Sequence, residues 1–353
     1  MIQPVVRSIK LLVYRMARTV GLFRLARWLT RDRLRILAYH GFSNGEVVAF
    51  RPKLFITPET FARRMALLRR RGFAVQTLDE AVRRLRNGEV DGNAVVVTID
   101  DGYASTLYRA APILARYRIP ATVYVTSYYV ERQTPVFDLV VGFMLWKTVC
   151  DTLVLSWPEG AVSRHWSLAS PRDRERCANE IIALGRAAAT EGDRVSLCDA
   201  LGGALAVPYD RIVAEGDFRL MTPGEIGQLR TYGIEIGLHT HRHRFPVGDD
   251  EACRREIDDN EARLRRWVEL PARHFCYPSG IYAPSQWGLL ERCGVASSTT
   301  CDVGLVMAGD PCHGLKRFLD GEMVSEVEFD AELCGLSELL RGALQRGQGK
   351  VSR

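Results

Sequence analysis

Two adjacent aspartates, Asp100 and Asp101, end an apolar run and suggest chemistry by their position. The preceding residues Val95–Ile99 are mostly β-branched, which predicts a strand buried on both faces, as in parallel sheets and α/β barrels. Ligands bind at the C-terminal ends of such strands. Two ionised carboxylates repel each other, and a bound cation removes that conflict. The pair therefore suggests a metal site, although Asp-Asp-Gly is also a common turn sequence.

Three histidines follow a second short apolar segment, Ile234–Leu238. His239 and His243 are four residues apart, so a helical turn would place both on one face, within reach of one ion. His241 would point elsewhere. Two imidazoles and one carboxylate leave open positions on a metal ion, which is the arrangement of catalytic sites rather than closed structural ones.

Both segments resemble motifs of one enzyme family. Thr98–Tyr103 (TIDDGY) resembles the TFDDG motif of the polysaccharide deacetylases, the NodB-like carbohydrate esterases of family 4. His239–His243 (HTHRH) resembles their H-[ST]-x-x-H motif, and the order and separation of the two motifs also fit. The resemblance implies an α/β fold, a distorted (β/α) barrel of the NodB-like type with a mainly helical insertion.

The resemblance also assigns roles to individual side chains. It makes Asp101, His239 and His243 the ligands of one divalent metal ion and Asp100 the general base. This ligand set suits Zn, the ion that we expect, and also Co, Ni or Fe. A bound divalent ion lowers the pKa of its water toward about 7 and polarises an acyl carbonyl, so that a nearby base can complete the activation.

A further histidine, His40, follows the apolar segment Leu34–Tyr39. In the family, a catalytic histidine commonly follows a strand near the C-terminus, where this chain has only His313, in a turn-like sequence. Tyr39-His40 resembles the exopolysaccharide-deacetylase type, in which this strand comes first, as in a circular permutation of the fold. On that resemblance His40 is the general acid that protonates the departing amine, with His313 as the alternative.

Further residues are expected around the oxyanion and the substrate. The backbone N–H of Tyr103, just after the Asp-Asp-Gly turn, can stabilise a tetrahedral oxyanion. Tyr277 lies in a segment that resembles the third motif of the family. Aromatic residues in the middle of the chain could stack on sugar rings or belong to the core; they are Tyr128, Tyr129, Phe137, Trp146, Trp157 and Trp166.

The third motif departs from the family pattern at Cys276. An arginine usually precedes the aromatic-proline turn of this motif, and Cys276 stands in its place. The resemblance therefore leaves open which cation orients Asp100, with Arg273 and Arg317 as candidates. The apolar surroundings expected for Cys276 raise a thiol pKa, which favours a packing role over reactivity.

Alternating strand and helix patterns, interrupted once, indicate the domain organisation. We assign residues 35–127 and 221–335 to the barrel and residues 128–220 to a helical insertion packed over its mouth. Residues 1–34 form a basic amphipathic N-terminal helix. Residues 336–353 are the C-terminal helix end and a polar tail.

The N-terminal segment combines arginines with interleaved apolar residues and lacks the apolar core and cleavage site of a secretory signal. A basic amphipathic helix can lie on an anionic membrane surface, here with Leu11, Leu12, Phe23 and Leu25 inserted. It can equally pack on the domain's own surface. Both interpretations stay open.

The composition limits the class of protein. With 353 residues, the chain can form one large α/β domain or two modest ones, and no segment approaches the ~20 apolar residues of a membrane span. Its 48 basic and 42 acidic residues give only a mildly positive charge, and the arginines are scattered over helices more than concentrated on one segment, so no nucleic-acid partner is expected. Nine cysteines without a C-x-x-C pair indicate reduced thiols.

These features predict a metal-dependent hydrolase that removes N-acetyl or N-formyl groups from amino sugars of a polysaccharide, glycolipid or sugar precursor, as the resemblance implies. Without an export signal, we expect a cytoplasmic protein, peripheral at the inner membrane face if the N-terminal helix binds lipid. Two other functions stay open: a catalytically silent carbohydrate-binding protein on the same barrel, and a deacylase of amides or esters outside sugars.

Overall fold

The computed structural model describes residues 2–90, 92–158, 162–269 and 271–348. One large parallel sheet lies at the centre of the molecule. The strands are β1 Arg35–Tyr39, β2 Gly41–Phe42, β3 Phe55–Ile56, β4 Ala74–Val75, β5 Ala94–Ile99, β6 Thr122–Val125, β7 Thr152–Leu155, β8 Arg164–Ser167, β9 Glu235–Leu238, β10 His274–Cys276, β11 Ser297–Thr299 and β12 Phe318–Leu319.

The large sheet has the strand order β11-β10-β9-β6-β5-β1-β12, and its strands pair in parallel. Strand β4 pairs with the first residues of β5, and β6 pairs with the last ones. An isolated bridge between Thr299 and Leu315 brings the two ends of the sheet together, so the sheet curls into a distorted (β/α) barrel. The fold class predicted from the sequence is therefore confirmed.

Strand register brings the chemically interesting residues to one end of the barrel. All six residues of β5 are buried, as its apolar sequence predicts. Tyr39 of β1 pairs with Ile99 of β5, so the next residues, His40 and Asp100, leave the sheet side by side. Strand β9 pairs with β6 in parallel, and its last residue, Leu238, delivers His239 to the same end.

Helices cover the outside of the barrel. Helix α4 begins at Pro58, because the Thr57 hydroxyl accepts a hydrogen bond from the Thr60 N–H and proline suits the first turn of a helix. The helices are α1 Ile2–Thr19, α2 Leu22–Leu29, α3 Glu46–Phe50, α4 Pro58–Arg70, α5 Leu78–Arg86, α6 Ala111–Arg116, α7 Ser127–Arg132, α8 Phe137–Lys147, α9 Pro171–Ala187, α10 Glu191–Ala204, α11 Tyr209–Glu215, α12 Pro223–Gln228, α13 Asp250–Val268, α14 Trp287–Arg292, α15 Glu326–Leu333 and α16 Leu336–Gln348.

The segment predicted as an insertion, residues 128–220, contains helices α7 to α11 and an antiparallel hairpin, β7–β8, that the sequence analysis did not predict. Its buried side chains belong to the same hydrophobic core as the barrel strands. Packing is close: a Cβ on Gly185 of α9 would lie 2.3 Å from the Phe137 ring of α8. The segment therefore adds to the barrel core and does not form a core of its own.

The N-terminal segment forms two helices, not the single helix predicted over residues 1–34. The break falls at Gly21, whose φ of +83° lies outside the α-helical region. Of the residues expected to insert in a membrane, Leu12 and Leu25 are exposed, whereas Phe23 is buried. The inner faces pack on α15 and α16, through Tyr14, Ala17, Phe23 and Ala26 against Val327, Ala331, Cys334 and Leu336.

Helix α16 accounts for most of the predicted C-terminal segment, and residues 349–353 of the predicted tail lie outside the described residues. No helix in the described ranges has both the length and the apolar character that crossing a bilayer requires. All nine cysteines carry free thiols.

Candidate active site

The turn after β5 separates the two aspartates. Asp100 extends the strand ladder, because its N–H donates to the Tyr39 carbonyl at 2.8 Å. Asp101 then adopts a φ of +72°, and Gly102 a φ of +88°. A positive φ costs a non-glycine residue on the order of 1 kcal/mol and is concentrated at functional sites. The two carboxylates consequently face different partners although they are neighbours in the chain.

Asp101, His239 and His243 converge on one point. Asp101 Oδ1 lies 3.2 Å from His239 Nε2 and 3.3 Å from His243 Nε2, and the three ligand atoms lie within 4.8 Å of one another. Tetrahedral ligands at zinc bond lengths of about 2.0–2.1 Å are about 3.3 Å apart. The two distances from Asp101 therefore match the separation of ligands of such an ion. His243 is 24% exposed, which leaves one side of the triad open.

The backbone fixes the orientation of His239. Its Nδ1 lies 2.8 Å from the Cys276 carbonyl, which accepts a hydrogen bond from Nδ1–H. In this tautomer the Nε2 lone pair is available to a metal. Burial lowers the pKa of His239, but hydrogen bonding to Asp101 and the charge of Asp100 outweigh this effect, so the pKa is raised. Burial likewise raises the pKa of Asp101, but the imidazoles of His239 and His243 hold it well below its ordinary value.

Helix α13 holds the loop that carries the two histidines of the triad. The buried Glu256 carboxylate accepts a hydrogen bond from the Arg242 N–H at 2.7 Å, and the Glu256 carbonyl accepts from the His241 N–H at 3.0 Å. The His241 ring points away from the triad, with Nδ1 2.9 Å from Ser127 Oγ. The loop can therefore turn sharply at His243, where φ is +54°, without losing its buried hydrogen bonds.

Arg317 holds Asp100. The two side chains form a bidentate ion pair, with distances of 2.7 Å from Nη1 to Oδ1 and 2.8 Å from Nη2 to Oδ2. Both are almost fully buried, at 2% and 3% exposure. Burial raises the pKa of Asp100, but the charges of Arg317 and His40 outweigh it, so the pKa is lowered. Asp100 is thus ionised at neutral pH, as a general base must be.

This ion pair identifies the cation that the sequence left open. Arg273 is exposed and lies 4.0 Å from Asp79, at the opposite end of the strands. Cys276 lies beside the pair instead, with Sγ 3.5 Å from Asp100 Oδ2 and 3.1 Å from Arg317 Nη2. Burial raises the pKa of the Cys276 thiol, so it stays protonated. Asp100 and Cys276 also lie near His239, but a protonated thiol and an arginine-bound carboxylate are poor metal ligands.

His40 faces the same mouth. Its Nε2 lies 3.7 Å from Asp100 Oδ2, and its side chain is 16% exposed. Its buried Nδ1 has no hydrogen-bond partner within the described ranges. The alternative, His313, is 4% exposed, and its Nδ1 lies 2.9 Å from Ser298 Oγ. His313 therefore has a structural partner, whereas His40 lies beside the predicted base.

The two predicted tyrosines differ in position. The Tyr103 N–H has no acceptor among the described residues. Burial and the Asp101 carboxylate raise the pKa of the Tyr103 hydroxyl. Tyr277, expected near the substrate, is 1% exposed, and its hydroxyl donates to the His313 carbonyl at 3.0 Å. Tyr277 is thus a core residue, because the hydroxyl that would bind substrate is already used.

The predicted aromatic residues divide into two groups. Tyr128, Tyr129 and Phe137 line a cavity that also includes His243. Trp166 is buried and donates to Glu180 at 2.7 Å, whereas Trp146 is 43% exposed and stacks on Phe143. Only the first group lies where a substrate bound at the triad can reach it; Trp157 packs at the edge of the core.

Comparison with solved structures shows the same fold in several deacetylases. The Streptococcus pyogenes deacetylase PplD, solved with acetate, is 15% identical, with 85% of this chain and 98% of that chain covered and a TM-score of 0.57. IcaB from Ammonifex degensii is 19% identical, with coverages of 86% and 97% and a TM-score of 0.56. The de-N-acetylase from Aggregatibacter actinomycetemcomitans is 14% identical, with coverages of 85% and 100% and a TM-score of 0.53.

Comparison of sequences gives the family. No curated protein sequence matches the chain. The sequence profile of the family described as polysaccharide deacetylase matches residues 87–168 and 186–297, more than half of the chain. The matched stretches include both aspartates and the histidine pair, while His40 and Arg317 lie outside them. Because the profile covers the strands that carry the triad, this chain belongs to the polysaccharide deacetylase family.

Proposed function

We propose that the protein is a metal-dependent deacylase that removes the N-acetyl or N-formyl group of an amino sugar in a polysaccharide, glycolipid or sugar precursor. Family membership supports hydrolytic deacetylation of sugar polymers. The proposal rests above all on the metal-spaced triad with an ionised Asp100 beside it and His40 at the same mouth.

Asp101, His239 and His243 would hold the ion, which we propose to be zinc, while Co, Ni and Fe suit the same ligands. When bound, the ion supplies Lewis-acid activation of water and of the acyl carbonyl. Asp100, held ionised by Arg317, accepts the proton of the attacking water. The Tyr103 N–H donates to the developing oxyanion.

His40 completes the reaction as the general acid. An amide nitrogen leaves only after it gains a proton, and the His40 imidazole can supply it. The 3.7 Å separation of His40 Nε2 and Asp100 Oδ2 places acid and base on the same side of the site. The proton that Asp100 accepted then passes through solvent to His40. This transfer restores the ionised carboxylate of Asp100 and the protonated imidazole of His40.

The test is release of acetate or formate from N-acylated glucosamine oligomers by the purified chain. We expect release to stop after chelation and to return with added zinc. Binding of oligosaccharide by the metal-loaded protein without any release would favour the carbohydrate-binding alternative. Hydrolysis of simple esters or amides, without inhibition by amino sugars, would favour a deacylase whose substrates are not sugars.

We also propose that α1 and α2 contact an anionic membrane surface. Residues 1–31 contain Lys10, six arginines and no acidic residue, so their charge complements anionic headgroups. The expected cytoplasmic location would place them at such a surface. The outward face exposes large apolar side chains at 43–71%; they are Ile9, Leu12, Val13, Met16, Val20, Leu22, Leu25, Trp28 and Leu29.

Vesicle sedimentation tests this contact. We expect the protein to pellet with phosphatidylglycerol vesicles, to be released by salt, and to ignore phosphatidylcholine vesicles. Trp28→Ser should weaken pelleting, whereas Val149→Ser, at a 92% exposed site elsewhere, should not. Self-association in solution that Trp28→Ser abolishes, with no vesicle binding, would show that a second copy covers this face and would overturn the proposal.

A further inference from the structure

A cavity of about 420 Å³ adjoins the metal triad. His243 is both a triad residue and part of the cavity wall, so a group bound in the cavity lies next to the reacting centre. Tyr128, Tyr129 and Phe137 form an aromatic part of the wall. The cavity lies between the histidine loop and the helices of residues 128–220, and it is the natural place for the rest of a substrate.

The wall carries an excess of positive charge. It includes four arginines, at positions 186, 194, 242 and 244, and one acidic residue, Asp138. Arg242 and Arg244 both contact the buried Glu256 carboxylate, at 3.0 and 3.4 Å, and Arg242 also lies 3.8 Å from the partly exposed Asp259. Arg186 pairs with Asp138 at the surface, where both are partly exposed and solvent can replace the contact. Neither Glu256 nor Asp259 lines the cavity, so the wall itself holds four guanidinium groups and one carboxylate.

Arg194 has an unused donor. Its Nη2 lies 2.8 Å from Glu191 Oε2 and 2.8 Å from the Tyr128 hydroxyl, and its side chain is 22% exposed. Its Nε is buried and has no acceptor within the described part of the chain. A buried donor without an acceptor is unfavourable. A ligand oxygen in the cavity would remove that cost.

We propose that this cavity binds an anionic group, a phosphate or a carboxylate, on the acylated amino sugar. This inference rests on the proposed function and narrows its substrate class. Arginine forks match phosphate and carboxylate oxygens in bidentate geometry, whereas a neutral sugar offers them only weak acceptors. Arg186 and Arg194 lie on α9 and α10, so the segment over the barrel mouth supplies the selectivity for charge.

Calorimetric titration of the full chain tests the inference. The probes are N-acetylglucosamine, N-acetylglucosamine 1-phosphate and N-acetylmuramic acid, each with metal-loaded and with chelator-treated protein. We expect at least one anionic probe to bind about tenfold more tightly than the neutral sugar, consistent with a charge-assisted hydrogen bond. The probe that shows the preference identifies phosphate or carboxylate as the group. If the preference for the anionic probe persists after chelation, the arginines, and not the metal, hold the anion.

Variants of one arginine on α9 and one on α10 test the cavity wall, and a second arginine on α9 provides the matched control. Arg186→Gln and Arg194→Gln should each reduce the preference for the anionic probe several-fold. Arg176→Gln should leave the preference unchanged. Arg176 lies on α9, as Arg186 does, but it is 64% exposed and pairs with Asp173 outside the cavity. If Arg194→Gln does not fold, Arg186→Gln still provides the test, since Arg186 is 71% exposed.

Two outcomes would overturn the inference: equal binding of neutral and anionic probes, or a preference that survives in the Arg186 and Arg194 variants. Because binding is measured without turnover, a failure of the proposed function is recognised separately. In that case the preference for anions persists while no acyl sugar releases acetate or formate.

Discussion

Asp100 and Asp101 are consecutive carboxylates with lowered pKa values and different surroundings. Asp101 faces two imidazoles at 3.2 and 3.3 Å, groups that can release their protons and bind an ion. Asp100 faces Arg317 at 2.7 Å, a cation that keeps its proton at any accessible pH. A single residue with φ of +72° turns one carboxylate away from the other.

On the proposed roles of the two aspartates, one chain position separates two functions. A carboxylate paired with titratable groups can exchange their protons for a metal, and its charge is then used for ligation. A carboxylate paired with an arginine keeps its charge, and one of its lone pairs stays free to accept a proton from water. The predictions below test this division, beginning with the variants that remove either carboxylate.

Asp100→Asn and Asp101→Asn should both reduce kcat/KM by at least about 10³-fold, because one removes the base and the other a metal ligand. Only Asp101→Asn should lose zinc, measured as bound metal per protein after gel filtration. Loss of metal in Asp100→Asn, with activity merely reduced, would show that the two roles are reversed.

Replacement of Arg317 should have the next largest effect. Arg317→Lys should reduce kcat/KM about 10²-fold, because a single ammonium donor does not fix the orientation of Asp100 as the bidentate pair does. Since the Arg317 charge lowers the pKa of Asp100, Arg317→Met, which removes the charge, should move the acidic limb of the pH–rate profile to higher pH. An unchanged acidic limb would contradict the role of Asp100 as the base.

Arg317→Met should also lower the free energy of unfolding at pH 7 by about 3–5 kcal/mol, because it leaves a buried carboxylate without its partner. The wild-type protein should have the larger free energy of unfolding at pH values above the ordinary carboxyl pKa. The difference should disappear as pH falls through the lowered pKa of Asp100. Denaturant unfolding at several pH values measures this difference. A zinc content equal to that of the wild type would show that the metal side is unaffected.

His40→Ala should reduce amide hydrolysis by about 10²–10³-fold, because the departing nitrogen then lacks its proton donor. Hydrolysis of 4-nitrophenyl acetate should be reduced far less, since that leaving group departs without protonation. His313→Ala is the matched control and should preserve both rates, because His313 bonds to Ser298 away from the site. Equal losses with both substrates would exclude His40 as the acid.

The smallest effect is expected for Glu225, a carboxylate with a lowered pKa and no chemical role. Burial raises its pKa, but hydrogen bonds from Arg219 and Tyr108 lower it to about 2. Glu225→Gln should reduce the free energy of unfolding by about 1 kcal/mol at neutral pH, and the difference should disappear as pH falls toward 2. Turnover should not change, which separates a structural ion pair from the pair at Asp100.

The sequence predicts the triad well because its members lie in two short, contiguous motifs that each follow a strand. It gives Arg317 only as one of two candidates beside Arg273, because its partner Asp100 is 217 residues earlier in the chain. Only strand pairing brings the two together, and strand order is not encoded in a local pattern. An arginine next to the apolar β12 is the one available signal, because a charge beside a buried strand needs a buried partner.

Tyr277 and the N-terminal helix show the other kind of error. Motif position suggested that Tyr277 faces substrate, but the direction of a side chain depends on its packing, and here the hydroxyl reaches the His313 carbonyl. The helix break at Gly21 was visible as a glycine within an amphipathic pattern. The burial of Phe23 was not, because it depends on which face α15 and α16 cover.

The pairing of β1 with β12 joins the two ends of the barrel sequence. His40 follows the first of these strands and Arg317 precedes the second, while the aspartates and the histidine pair lie between them. A ribosome therefore completes the triad before it makes the arginine that fixes Asp100. On the proposed roles, the nascent chain would have its metal ligands first, and its general base would gain an orienting cation only when the last strand of the barrel docked.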